Sequence, residues 1–224
     1  MVTLIAEDLL LLLLDDETGR GPTGLDLRPL LGGAVLLELA LAGAVEPGPR
    51  SAWGTSRVRT IAGGAPVEDP VLREALTEIA TKERSAQDLV GRLGKGLQER
   101  LSVRLVERGI LERREGRVLG LFPTTTWPAA DSRHEADVRR ALEAVLVQGR
   151  DPDPRTGAIV ALLAAVDRAH KVVDRAGLPA GQVRKRAKQV SEGAWAAKAV
   201  RDAITAATTA VTMTVVAAGV ATGS

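Results

Sequence analysis

Residues 28–45, RPLLGGAVLLELALAGAV, are apolar nearly all round, and Glu38 is their only acidic interruption. A helix with no polar face has no stable place at a surface and is buried on every side. The stretch therefore predicts a central helix over 28–45 that other elements must surround. Gly32 and Gly33 within it cost helix propensity but let a second backbone come close. At 224 residues the chain is long enough to bury such a helix within one domain spanning 1–224.

Surrounding segments carry the patterns such a core needs. Residues 3–14 predict a first helix, ended by the turn cluster DDETGRGPTG at 15–24. After a loop rich in Pro and Gly at 46–54, residues 57–61 alternate as a short strand. Asp69 and Pro70 read as an N-cap and first helical residue, ahead of Val71, Leu72, Ala75, Leu76 and Ile79 on one helical face. Ser85 caps a shorter helix, and Gly94 and Gly96 bracket a joint. From Leu97 the leucines 97, 101 and 105 recur every fourth residue, while Lys95, Arg100, Arg104 and Arg108 line the polar sides.

Over 110–121, ILERREGRVLGL, two short apolar runs flank Glu115 and Gly116, which predicts a hairpin, and FPTTTWP at 122–128 reads as a rigid connector. Ser132 and Glu135 have capping-box spacing. Asp153 and Pro154 repeat the cap pattern before an apolar helix at 159–173. Arg184, Lys185, Arg186 and Lys188 form the densest basic cluster, followed by Trp195 and an Ala-rich terminal helix. The uncharged stretch 203–224 has about the length of a membrane span but is built mostly of Ala, Thr, Val and Gly, so a buried terminal helix is expected over a tail anchor. At the other end Glu7 and Asp8 interrupt the leucine run before a signal-peptide core forms, and no export is read there. The fold class expected is mainly α, with a β-hairpin.

No catalytic apparatus is legible. Cysteine is absent, which removes disulfides, thiolate metal sites and cysteine nucleophiles together. His134 and His170 have no metal-ligand spacing and read as surface or packing histidines, so neither metal nor cofactor is expected. The glycine pairs match no phosphate loop. Glu7, Asp8, Asp15 and Asp16 are acidic pairs of the kind that cap and solvate helix starts and turns. Three Trp, one Phe and no Tyr are too few for single-strand stacking platforms. A net charge of +2 leaves electrostatic recognition to a local patch.

That patch lies within 97–122, where a basic amphipathic helix runs directly into a hairpin. Three readings stay open for it. In a winged helix the helix would enter the major groove and Arg113, Arg114 and Arg117 would meet phosphates. In a peripheral membrane protein the hairpin would enter the interface while Lys and Arg hold anionic headgroups. In a soluble protein-interaction scaffold the leucines pack and the charges are solvated.

Set side by side, LIAEDLLLLLLDDETG, LLGGAVLLELALAG, APVEDPVLREAL, RLSVRLVERGIL, FPTTTWP and GRDPDPRTGAIVALLAA resemble, in order and spacing, the bacterial relatives in the Golgi phosphoprotein 3 family over nearly the full chain. The resemblance implies a compact helical fold around a buried central helix, with a projecting hairpin and no enzymatic activity. It also implies a peripheral protein on the cytoplasmic side of a membrane. Such a protein recognises the phosphatidylinositol 4-phosphate headgroup and adapts the cytoplasmic tails of membrane proteins. Residue by residue, the family's headgroup tryptophan falls at Thr23 and one headgroup arginine at Gly32, and two further arginines fall at Lys95 and Gln98. Only Lys95 keeps a cation among these, and a lysine does not replace a bidentate arginine. Arg100 matches a family arginine, and Arg92, Arg104 and Arg108 lie close by. Anionic phospholipid or a phosphoinositide-like headgroup is the expected partner, with Lys95, Arg100, Arg92 and Arg104 as headgroup candidates. Val118, Leu119, Leu121 and Phe122 are the expected membrane-insertion residues.

Overall fold

The computed structural model describes residues 3–50, 56–64, 66–118, 122–193 and 198–221. The chain is mainly α-helical, with small antiparallel strand pairs. Its central helix is α2 (Leu27–Leu41), opened by Asp26, whose carboxylate accepts from Arg28 N at 2.9 Å. Leu30, Leu31, Leu37 and Leu39 within it are fully buried. Around it lie α1 (Ile5–Leu13), α4 (Ala86–Leu93), α5 (Leu97–Glu107), α7 (Pro154–Ala165) and α9 (Lys198–Ala221), all drawing on one contiguous apolar core. Alongside stand α3 (Pro70–Thr81), α6 (Arg133–Leu146) and α8 (Ala180–Ser191).

Gly32 admits the close backbone approach expected of it, whereas Gly33 faces the side chains of Val211 and Leu162 rather than a backbone. A Cβ on Gly32 would stand 2.0 Å from the Val90 carbonyl oxygen, and one on Gly94 would stand 1.8 Å from that of Arg28. The backbones of α2 and α4 therefore touch, and no larger residue fits at either crossing.

Several boundaries differ from the sequence expectation. The central helix stops at Leu41 rather than running to Val45, because Gly43 takes a left-handed backbone (φ 67) and turns the chain. Val45 then opens β1 (Val45–Arg50), which pairs with β2 (Ser56–Thr60) through Val45↔Thr60 and Pro47↔Val58. Part of the expected 46–54 loop is thus a strand. Its prolines are tolerated because β1 is an edge of the order β1-β2-β3, with β3 at Arg84–Ser85.

The hairpin is also displaced. It pairs β4 (Arg114–Val118) with β5 (Phe122–Thr126) in the register Arg114↔Thr126 to Val118↔Phe122, so Glu115 and Gly116 lie in a strand and most of the expected connector is the second strand. The β-branched run Thr124 to Thr126 favours extended backbone, and Pro123, opposite Arg117, is tolerated because both strands of a two-stranded ribbon are edges. The expected helix at 159–173 is shorter, since α7 ends at Ala165 and Asp167 adopts φ 52. The capping box at Ser132 is not formed. Ser132 has φ −89 and ψ 2 instead of the extended backbone that aims a hydroxyl at the helix, and Glu135 is buried against Arg139.

The cap at Asp69 forms, with its carboxylate accepting from Val71 N at 2.8 Å. The caps at Ser85 and Asp153 form as well. In α9 the residues Ile204, Ala207, Ala210 and Val211 are buried. No described helix is long and apolar enough to cross a membrane. Trp195 lies outside the described residues.

Candidate functional site

The candidate surface is organised by the joint between α4 and α5. α4 ends on Gly94, and α5 is opened by Gly96 in a left-handed backbone (φ 66), which only glycine adopts without strain. Lys95 is held out between them, exposed, and its side chain makes no hydrogen bond or ion pair among the described residues. Leu97, Leu101 and Leu105 bury the inner face of α5 as their spacing predicts, which turns the rest of the helix toward solvent.

The α5 face divides into two clefts. The first, about 390 Å³, lies between the joint (Gly94, Gly96, Gln98, Glu99), the start of α2 (Asp26, Arg28) and the base of the hairpin (Thr125, Trp127). Arg28 is half exposed and pairs with Asp26 at 3.1 Å. Trp127 is buried beneath Arg113, whose guanidinium stands 5.9 Å from the ring centre. Of the positions that the family resemblance singles out, Gln98 lines this cleft, Gly32 packs against Gly94 and Val90, and Thr23 is exposed in the turn before α2.

The second cleft is larger, about 1160 Å³, and runs along the other side of α5 past Arg100, Val103, Arg104, Glu107 and Arg108 to Asp69, Val71, Leu4 and Glu38. The arginines here are engaged. Arg100 pairs with Glu74 at 2.6 Å. Arg104 donates two parallel bonds to Asp69, at 3.0 and 2.8 Å, and Arg108 donates to Glu7 at 3.2 Å. On α4, Arg92 pairs with Asp88 at 2.9 Å. The sequence candidates are therefore split: Lys95 stands at the joint between α4 and α5, Arg100 and Arg104 line the second cleft, and Arg92 is on α4 in its own ion pair. Of the expected insertion residues, Val118 and Phe122 pair at the end of the hairpin, and Leu119 and Leu121 lie outside the described residues. On the hairpin side Arg113 and Arg114 pair with Glu115 and Glu112, so these cations face carboxylates rather than open solvent alone.

Behind the second cleft is a buried polar network that sequence reasoning missed. Glu7 and Asp8 are 0% and 2% exposed, although an acidic pair at a helix start reads as solvated. Glu7 does cap its own helix, accepting from Leu4 N at 2.8 Å, and it also takes the Arg108 bond. Arg104 Nε stands 3.2 Å from the other Glu7 oxygen, within ion-pair reach but misaligned for a hydrogen bond. Asp8 is held by Arg155 at 2.7 Å and His134 at 2.8 Å, and Arg155 also reaches Glu38 at 3.0 Å. Burial pushes the Glu38 carboxyl above its ordinary value, against the Ile5 amide and Arg155. Burial also pushes at Asp69, but the Arg104 fork and two backbone amides outweigh it and hold that carboxyl below the ordinary range. The distant Arg104, Arg108, Arg155 and His134, with the Leu4 amide, make burial of these acids tolerable, and local spacing around 7 and 8 carries no sign of the distant partners.

Both histidines make polar contacts within the fold. His134 bridges Thr3 and Asp8, and His170 accepts from Arg184 at 3.2 Å. No group of His, Cys, Asp and Glu able to hold a metal ion occurs among the described residues. A family model described as Golgi phosphoprotein 3 (GPP34) matches residues 5–207. No curated protein matches the chain significantly.

Proposed function

Because the chain belongs to the Golgi phosphoprotein 3 family, whose members are non-enzymatic lipid-binding and adaptor proteins, we propose that it is a peripheral membrane adaptor, working on the cytoplasmic side of a membrane. It has no enzymatic role in this reading. Anionic membrane surface is met by the face that carries Lys95, with Arg92, Arg100 and Arg104 adding positive potential behind it. The hairpin residues Val118, Leu119, Leu121 and Phe122 act as the apolar wedge.

The observation that carries this reading is the placement of Lys95. It stands as an exposed cation without an acidic partner among the described residues, between Gly94 and Gly96, which line a cleft that also takes in Thr125 and Trp127 at the hairpin base. A cation combined with an apolar hairpin is what an interfacial protein needs, since each alone binds weakly. The adaptor half of the role falls to the second cleft. There the exposed carboxylates Glu68 and Glu107 rim an apolar surface of Leu4, Val71 and Val103, which suits a basic cytoplasmic tail.

Co-sedimentation with vesicles of mixed neutral and anionic phospholipid tests the membrane half. Binding at low salt is expected, with loss as salt rises past about 0.15 M, where the screening length shrinks to roughly 8 Å. Leu119→Asp with Leu121→Asp, and separately Lys95→Glu, are each expected to weaken it about tenfold or more. Folded wild-type protein that stays in the supernatant with anionic vesicles at low salt would overturn the proposal. Duplex DNA serves as the competing arm, because a steep salt slope on DNA with no vesicle binding would favour the winged-helix reading.

A further inference from the structure

The first cleft does not have the chemistry a phosphorylated inositol ring requires. Position 32, where the family resemblance places a headgroup arginine, is glycine, and its Cβ direction runs into the Val90 carbonyl at 2.0 Å. The missing cation is therefore sterically barred, because the obstacle is backbone and cannot rotate away. One turn earlier on α2, Arg28 lines the cleft. It is accompanied by two carboxylates, Asp26 and Glu99, and by the neutral side chains of Gln98 and Thr125.

Arg28 and Asp26 pair with each other at 3.1 Å, Glu99 is the second lining carboxylate, and Lys95 stands exposed between the lining residues Gly94 and Gly96. A headgroup of several negative charges would meet Asp26 and Glu99 at close range and gain little net attraction. A headgroup with one phosphate and one ammonium meets both signs. We propose that this cleft binds the phosphoethanolamine group, with Arg28 and Lys95 on the phosphodiester and Glu99, helped by Asp26, on the ammonium. The ammonium must be a primary one. Three N–H donors satisfy carboxylate acceptors, whereas a trimethylated ammonium has none and needs open aromatic faces. The aromatic lining the cleft, Trp127, is buried and already covered by Arg113. A volume of about 390 Å³ fits a small headgroup.

This proposal rests on the membrane reading above for its biological setting, but its chemistry is testable without a membrane. Soluble glycerophosphoethanolamine, glycerophosphocholine and inositol 4-phosphate are titrated into labelled protein while the backbone amides of Lys95, Gln98 and Thr125 are followed by NMR. Saturable shifts with the ethanolamine compound are expected, at about tenfold lower concentration than with the other two. In parallel, vesicles of fixed anionic content carry either phosphatidylethanolamine or phosphatidylcholine as the neutral lipid, and about tenfold stronger binding to the former is expected. Glu99→Lys, a change on the exposed face of α5, should erase both preferences and raise affinity for inositol 4-phosphate.

Equal response to ethanolamine and choline compounds in solution would overturn the proposal, as would preference for inositol 4-phosphate with Glu99 intact. An ethanolamine response that Glu99→Lys leaves unchanged would overturn it too. Ethanolamine shifts in solution with no binding to any vesicle would support the cleft chemistry while defeating the membrane reading. A vesicle preference without a matching soluble one would show an effect of bilayer packing and count against the cleft.

Discussion

Single residues in the buried network carry consequences out of proportion to their number. Glu7 is fully buried, accepts from Leu4 N and Arg108, and faces Arg104. Glu7→Gln keeps the shape and removes the charge, and it is expected to cost about 2 kcal/mol in urea unfolding, in the range for hydrogen bonds to charged groups. Asp69 gives a pH signature. Its carboxyl is held below the ordinary range in the folded protein, because burial is outweighed by Arg104 and the α3 amides. A depressed carboxyl contributes stability that is present above its unfolded value, about 3.9, and is lost as pH falls through the folded value. Asp69→Asn should therefore destabilise the protein at pH 7 and show a shallower further loss in acid. Melts from pH 7 down to about pH 2.5 check it, and parallel curves for the two proteins would refute the assignment. Glu7 and Asp8 were legible as helix-start acids but not as buried ones, since burial depends on Arg104, Arg108 and Arg155, which approach only in the fold.

At the scale of elements, the contact of α2 with α4 is the most constrained. Gly32→Ala places a methyl 2.0 Å from the Val90 carbonyl, so the helices must separate or the chain fail to fold. A loss of about 3 kcal/mol in chemical denaturation is expected. Gly91, in the same α4, is the counterpart: a Cβ there meets nothing within 4 Å. Gly91→Ala should stabilise the protein by roughly 0.5–1 kcal/mol through helix propensity. The same measurement on both variants separates close approach from propensity, and equal effects would defeat the account. The caps at Asp69, Ser85 and Asp153 were readable because an N-cap acts within three residues of itself. The hairpin register was not readable, because the apolar runs at 110–121 suited more than one turn position and the choice fell to pairing between Arg114–Val118 and Phe122–Thr126.

Taken together, the chain wraps helices around α2 and leaves α5 with a cleft along each side, the joint and the hairpin base belonging to the first. Pattern along the chain specifies the apolar central helix, the leucine face of α5, most helix starts, the helical class and the family, because each rests on periodicity, short-range capping or ordered motifs. It also located the basic segment from which the candidate cations come. Only the tertiary structure decided which of those cations remain available. It set Arg100 and Arg104 against Glu74 and Asp69, left Lys95 exposed at the joint, and brought Arg28, Glu99 and Thr125 from separate elements around one cleft, whereas Arg92 pairs with Asp88 one turn away on its own helix, a spacing the sequence shows. The physical reason is range. Helix formation and capping are settled among neighbours along the chain, whereas the pairing of a charge and the lining of a cleft depend on residues that meet only when distant segments pack.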